Sequence, residues 1–106
     1  MGTDNGNRYA ESPIAILFGE PQINLLFSEL LKARGLRTQI ITDASILEPS
    51  VKVITEPQFF ESLGQENKKR CLVVGNKDAL RAVDALSLSR PLTEAKIEAA
   101  LSRFLA

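Results

Sequence analysis

Ile14-Ala-Ile-Leu-Phe18, followed directly by Gly19, is the most informative stretch of the chain. Five consecutive apolar residues ending at a glycine are typical of a short strand that is buried on both faces, as in a parallel sheet. Cys71-Leu-Val-Val74, followed by Gly75, repeats this pattern later in the chain. Two such strands, far apart in the sequence, predict a parallel sheet whose strands are joined by helical crossovers.

Two longer segments have the apolar spacing of a helix that packs one face on a core. In each segment, apolar residues fall at positions i, i+3, i+4, i+7 and i+8. They are Ile23, Leu26, Phe27, Leu30 and Leu31 in the first segment, and Ile97, Ala100, Leu101, Phe104 and Leu105 in the second. We expect Gly35 to end the first helix and Thr93 to cap the start of the last one.

The rest of the chain contributes further strands and two short helices. The predicted strands are Thr38–Thr42, Val51–Thr55 and Leu86–Ser89, and the short helices begin near Pro57 and Asp78. Lys52 suggests an edge or a partly exposed strand, and Gln65–Arg70 is expected to be a polar loop. Because strands and helices alternate, the sequence predicts one α/β domain over residues 13–106. Its expected architecture is a flavodoxin-like, mainly parallel five-stranded sheet with helices on both faces.

The composition excludes several kinds of chemistry. The 106 residues contain no histidine and one cysteine, Cys71, which leaves no histidine-based acid–base catalysis and no zinc site of histidines and cysteines. Thirteen basic and thirteen acidic residues give a formal net charge of zero, which argues against a nucleic-acid binder. Residues 1–12 are polar and lack a signal-peptide core. We interpret them as a flexible linker or vector-derived residues, and expect a cytoplasmic domain without membrane contact.

A ligand site in such a sheet is expected where the strands end, because parallel α/β sheets bind ligands at the carboxyl ends of their strands. The residues at these ends are Gly19 and Glu20, Asp43, Thr55 and Glu56, Gly75 and Asn76, and Arg90. Neither a G-x-G-x-x-G motif nor a P-loop is among them, which argues against a glycine-rich phosphate cradle.

Two of these turns resemble the receiver domains of two-component signalling. Gly19-Glu-Pro-Gln-Ile-Asn24 is similar to the family's turn into its first helix, and Ser89-Arg-Pro-Leu-Thr93 is similar to the turn into its last helix. The resemblance covers residues 14–106, although the middle is shorter than in a typical receiver. That shortened middle resembles the receiver-like α/β/loop domain of hybrid sensor histidine kinases.

The resemblance does not extend to the residues that carry receiver chemistry. A working receiver holds Mg²⁺ with two acidic residues after the first strand, where this chain has Gly19 and Glu20. Its phosphoacceptor aspartate corresponds to Thr55 or Glu56, depending on the alignment. A cation held mainly by carboxylates loses much of its site when one of them is missing. The resemblance therefore implies a domain that is not phosphorylated.

The remaining positions of the family's site also depart from its pattern. The hydroxyl that senses the phosphoryl group corresponds to Gly75 or Asn76, and the lysine after the fifth strand corresponds to Arg90. The resemblance thus implies a degenerate phosphoacceptor pocket with no catalytic residue, metal or cofactor. Its members would be Glu20, Thr55, Glu56, Asn76 and Arg90.

The function that follows from the resemblance is regulatory rather than enzymatic. We expect a protein-interaction module that contacts a kinase core, a true receiver domain or a dimer mate, and that binds no nucleic acid. One alternative is a divergent receiver that is still phosphorylated on Glu56 or Thr55. The other is a small-ligand sensor that binds a nucleotide or metabolite at the strand ends.

Three local features each allow two interpretations. Glu56 and Arg90 could form an ion pair that mimics the phosphorylated state, or could be two solvated charges. Glu20 is interpreted as a carboxylate favoured by a helix N-terminus, with a residual metal ligand as the alternative. Lys68-Lys-Arg70 is interpreted as a solvated charge run before a buried strand, with a patch for phosphate or an acidic partner as the alternative.

Overall fold

One parallel sheet organises residues 13–106, the part of the chain that the computed structural model describes. Its strands are β1 (Ile14–Leu17), β2 (Thr38–Ile40), β3 (Val53–Thr55), β4 (Cys71–Gly75) and β5 (Leu86–Ser89). They are ordered β2-β1-β3-β4-β5, and every neighbouring pair is parallel. This confirms the predicted flavodoxin-like α/β fold. The interpretation of residues 1–12 as a linker concerns residues outside the described part.

Two long helices and several short ones connect the strands. They are α1 (Pro21–Ala33), α2 (Pro57–Phe60), α3 (Gln65–Lys68), α4 (Lys77–Leu80) and α5 (Glu94–Leu105), with a 3₁₀ helix at Ala44–Ile46. Pro21 and Pro57 each open a helix, where a missing N–H costs nothing. Gly35 follows α1 with a φ of 82°, a left-handed conformation that favours glycine. The Thr93 hydroxyl accepts a hydrogen bond from Lys96 N at 3.3 Å and caps α5 as predicted.

Each face of the sheet covers its own apolar core. On one face, Ile14, Ile16, Leu72 and Val74 pack with Phe27 and Leu31 of α1 and with Leu101 and Phe104 of α5. On the other face, Ala15, Leu17, Val53 and Val73 pack with Phe60 and Leu63 and with the connections around the short helices. The helices therefore cover both faces, but the second face is covered only by short segments.

Three expectations about single elements were wrong. Lys52 precedes β3, which lies between β1 and β4 and is fully buried, so β3 is not an edge strand. Gln65–Lys68 forms the short helix α3 rather than a loop. The side-chain amide of Asn67 accounts for this ordered helix, because it is buried and donates to the carbonyls of Glu48 and Val51 at 2.9 and 3.1 Å. Leu26 is 37% exposed and does not belong to the buried stripe of α1.

The helices of residues 13–106 are all too short or too polar to cross a membrane.

Candidate functional site

The residues predicted from the strand ends share one edge of the sheet. Because all five strands are parallel, their carboxyl ends lie on the same side. Glu20, Glu56, Asn76 and Arg90 occupy the loops after β1, β3, β4 and β5. The strand order changes direction between β1 and β3, which is where doubly wound sheets form their ligand crevice. The loops after these two strands therefore decide whether a ligand can enter.

The side chain of Glu56 closes the crevice between β1 and β3. Its carboxylate Oε2 accepts a hydrogen bond from the backbone N–H of Gly19 at 2.6 Å. Glu56 is the N-cap residue of α2, yet its side chain makes no capping hydrogen bond and reaches across to the β1 loop instead. An anionic group of the protein itself thus occupies the backbone donor at the point where a ligand anion would bind.

Space at Gly19 is also taken up by neighbouring side chains. A Cβ at this position would lie 3.3 Å from Nε2 of Gln58 and 3.5 Å from Oε2 of Glu56. The Cβ would press on the end of the exposed Gln58 side chain, which can move by a few tenths of an ångström, and would be in ordinary contact with Glu56. Glycine at residue 19 therefore leaves room for the side chains of Glu56 and Gln58 against this loop.

Arg90 pairs with Glu20 rather than with Glu56. The guanidinium Nη2 lies 3.6 Å from Oε1 of Glu20, and the two side chains are 37% and 72% exposed. Such an exposed pair is worth about 0–1 kcal/mol. The interpretation of Glu56 and Arg90 as an ion pair is wrong, because the carboxylate of Glu56 accepts from Gly19 N–H in the loop after β1 and the guanidinium of Arg90 lies near Glu20 instead. The chain turns into α5 through a cis peptide bond between Arg90 and Pro91.

Thr55 faces the interior of the domain. Its side chain is completely buried, and its hydroxyl donates a hydrogen bond to the carbonyl of Leu17 at 2.7 Å. This contact joins β3 to β1 just below the crevice. In this arrangement the hydroxyl oxygen is out of reach of a phosphodonor, which leaves Glu56 as the accessible one of the two predicted acceptor positions.

A proline ring occupies the space that a side chain at residue 75 would need. Gly75 ends β4 and is buried, and a Cβ on it would lie 2.9 Å from both Cγ and Cδ of Pro57. Any side chain at residue 75 would overlap this ring. Asn76 is exposed and precedes α4 without forming a side-chain capping bond. Neither residue therefore presents a hydroxyl group toward the crevice.

Asn24 is a positioning residue that the sequence reasoning missed. Its side chain is buried, accepts a hydrogen bond from Phe18 N at 2.9 Å, and donates one to Phe18 O at 3.1 Å. The two bonds hold the end of β1 against the first turn of α1 and so fix the loop that carries Gly19. In the sequence, this role is indicated by an asparagine inside the otherwise apolar pattern of α1.

The carboxylates at this edge do not fit a receiver-type magnesium site. Magnesium needs several oxygen ligands in octahedral geometry, whereas Glu20 is paired with Arg90 and Glu56 with a backbone N–H. No three metal-ligating side chains converge anywhere within residues 13–106. Asp43, after β2, accepts a hydrogen bond from Ser45 N at 2.9 Å, and the hydrogen bonds from Ser45 lower the pKa of Asp43.

The chain matches no protein-family model, and no curated protein matches it significantly. Its function must therefore be argued from the geometry of the strand ends and from the rest of the surface.

Proposed function

We propose that this domain is a receiver-like protein-interaction module that is not phosphorylated. The supporting observation is the 2.6 Å hydrogen bond between Gly19 N–H and the Glu56 carboxylate, which closes the crevice between β1 and β3. The same edge has the Thr55 hydroxyl turned inward and the Pro57 ring packed against Gly75. These three contacts leave neither a free backbone donor at Gly19 nor a hydroxyl group facing the crevice.

The closed crevice at the carboxyl ends of the strands is consistent with a module that keeps one conformation. In a switching receiver, an added phosphoryl group reorganises the loops after the strands. In this domain a carboxylate is already bonded to the backbone donor at that place, and the Glu20–Arg90 pair links the loops after β1 and β5. The domain would then act as a fixed docking element in the cytoplasmic part of a sensor kinase.

The partners expected for such a module are a kinase core, a true receiver domain or a second copy of the chain. The face formed by β5, α4 and α5 is the proposed contact surface, by analogy with the receiver family. β5 is an edge strand of the sheet, and Ser87 on it is exposed. α4 is a single exposed turn without a buried residue.

Phosphorylation chemistry gives the most direct test. The chain is incubated with acetyl phosphate and Mg²⁺ and its intact mass is measured, with an aspartate-bearing receiver domain as a positive control. We expect no gain in mass, because Thr55 is inaccessible and Glu56 is held by Gly19 N–H. A gain of about 80 Da, one phosphoryl group, that is lost in Glu56→Gln would show a divergent but active receiver.

An NMR titration with the kinase core and the receiver domain of a hybrid sensor kinase tests the proposed protein–protein contact. We expect backbone shifts confined to β5, α4 and α5. Shifts confined to the strand-end loops, or no shift with either partner and no self-association, would contradict the proposal.

A further inference from the structure

A basic cleft lies at the edge of the sheet opposite the closed crevice. Its volume is about 430 Å³, and its walls come from the segments before β3, β4 and β5 and from the last turn of α5. The charged residues that line it are Lys52, Lys68, Lys69, Arg70, Arg103 and Asp84. We refer to this concavity as the basic cleft.

The parallel register brings these cations together. The carbonyl of Lys52 accepts from Ala15 N and the carbonyl of Arg70 accepts from Val53 N, so both residues stand at the points where their strands begin. Val53 pairs with Cys71 in the sheet, which places Lys52 and Arg70 side by side. α5 runs back along the sheet, and its last turn brings Arg103 to the same edge.

The cleft carries an excess of positive charge. Five cationic side chains line it against one acidic side chain, that of Asp84. Lys68 and Lys69 are paired with Glu61 and Glu66 at 3.4 and 3.6 Å. The other cations therefore decide what the cleft can bind.

Arg70 and Arg103 are the free binding groups of the cleft. Both residues are exposed, and neither guanidinium has a hydrogen-bond or ion-pair partner among residues 13–106. Each guanidinium carries five N–H donors in a planar fork that matches a phosphate or a carboxylate. Two such unpaired groups in one concavity favour a ligand with more than one anionic oxygen.

Lys52 offsets the partial negative charge at the end of α5. The carboxyl end of a helix is partially negative and repels anions. The ammonium of Lys52 donates to the carbonyl of Phe104 in the last turn of α5 at 3.0 Å, and lies 5.5 Å from the Phe104 ring. This contact offsets the negative helix end and leaves two of the three ammonium donors for a ligand.

We propose that the basic cleft binds a small organic phosphate, whose phosphate groups lie between Arg70 and Arg103. The cleft volume falls in the range of small-molecule sites, about 300–1,000 Å³. Ala85, Leu86 and Phe104 provide apolar wall for the organic part of the ligand. The zero net charge of the chain and the local, concave shape of the cleft argue against an extended nucleic-acid backbone. This inference is independent of the proposed interaction with a signalling partner.

The test is a titration of the ¹⁵N-labelled chain with ADP at low ionic strength, with inorganic pyrophosphate in a parallel arm. We expect saturable shifts at Lys52, Arg70 and Arg103, with ADP binding more tightly than pyrophosphate because of the apolar wall. Removing one charge-assisted hydrogen-bonding group should weaken binding about tenfold, so the Arg70→Gln, Arg103→Gln double variant should bind about a hundredfold more weakly. Arg81→Gln is the matched control, because Arg81 is exposed, pairs with Asp78, and lies outside the cleft.

Several results would overturn the inference. These are the absence of saturable shifts at millimolar ADP, shifts confined to the loops at the carboxyl ends of the strands, or equal affinity in the double variant and in Arg81→Gln. Tighter binding of a glutamate-rich peptide or of duplex DNA than of ADP would also reject a small organic phosphate as the ligand. Both arginines are exposed, and circular dichroism of each variant confirms that the fold is retained.

Discussion

Replacing Gly75 by alanine tests how the candidate site is closed. The added Cβ would lie 2.9 Å from Cγ and Cδ of Pro57. Non-bonded carbons are most favourable at about 3.5–4.0 Å, so the proline ring would have to move by about 0.6 Å or more. That ring is rigid and begins α2, and Gly75 is buried within the sheet. Neither group can relieve the overlap by a change of rotamer.

The expected loss of stability follows from this overlap. Overpacking of a tight interior costs about 1–3 kcal/mol, and the loss of glycine freedom in the unfolded chain offsets about 0.4–1 kcal/mol. The backbone at Gly75 does not have the positive φ found at Gly35, so no backbone strain is added. We expect the free energy of unfolding of Gly75→Ala to fall by about 1–2 kcal/mol.

Urea unfolding followed by circular dichroism measures the effect. With a slope of about 1 kcal/mol per M for a small domain, the midpoint should fall by about 1–2 M. Gly64→Ala is the matched control, because its Cβ would meet only Asn67 Oδ1 at 3.5 Å, an ordinary contact. Its midpoint should change by less than about 0.5 M.

A second variant separates this contact from a general effect of alanine. Pro57→Ala removes both atoms that overlap with the new Cβ, so the double variant should recover at least about 1 kcal/mol relative to the sum of the single changes. The predicted overlap is refuted if the urea midpoints of Gly75→Ala and Gly64→Ala are equal, or if the effects of the two changes at residues 57 and 75 on the free energy of unfolding are additive.

Three further measurements address other parts of the structure. Asn24→Ala removes both hydrogen bonds to the backbone of Phe18 and should lower the free energy of unfolding by about 2–3 kcal/mol in the same urea assay; a change below about 0.5 kcal/mol would contradict the positioning role. Burial raises the pKa of the Cys71 thiol from 9.0 to about 11, so iodoacetamide at about pH 8 should modify the native chain at least about a hundredfold more slowly than the urea-unfolded chain. Because the pKa is higher in the folded state, the free energy of unfolding should also fall between pH 9 and 11. Equal modification rates would show that the thiol is not protected.

The sheet could be predicted because its inner strands carry a strong local signal. Ile14–Leu17 and Cys71–Gly75 are buried at every residue, and only an apolar run suits such strands. Leu26 was misassigned because spacing alone does not show how wide the covered stripe of α1 is. The charge of Lys52 suggested an edge strand, but Lys52 is only partly exposed and its ammonium donates to a carbonyl of α5 that is distant in the sequence.

The residues at the strand ends could be named from the sequence, but their pairing could not. Arg90 reaches Glu20, and Glu56 reaches Gly19, because side-chain direction at a strand end depends on the strand order and on the loops. The contacts of Pro57 at Gly75 and of Asn24 with Phe18 each join a side chain to a backbone segment, and that backbone carries no residue-specific signal. The sequence indicated the basic cleft only through the charge run before β4, since Lys52 and Arg103 are contributed by other elements.

The packing of Pro57 on Gly75 also has an evolutionary consequence. Introducing a hydroxyl side chain at residue 75 would be destabilising while Pro57 is present, and less so after the proline has been replaced. The order of these two substitutions therefore matters. Homologous chains that keep proline at position 57 should keep glycine at position 75, so the two positions should change together along the lineage.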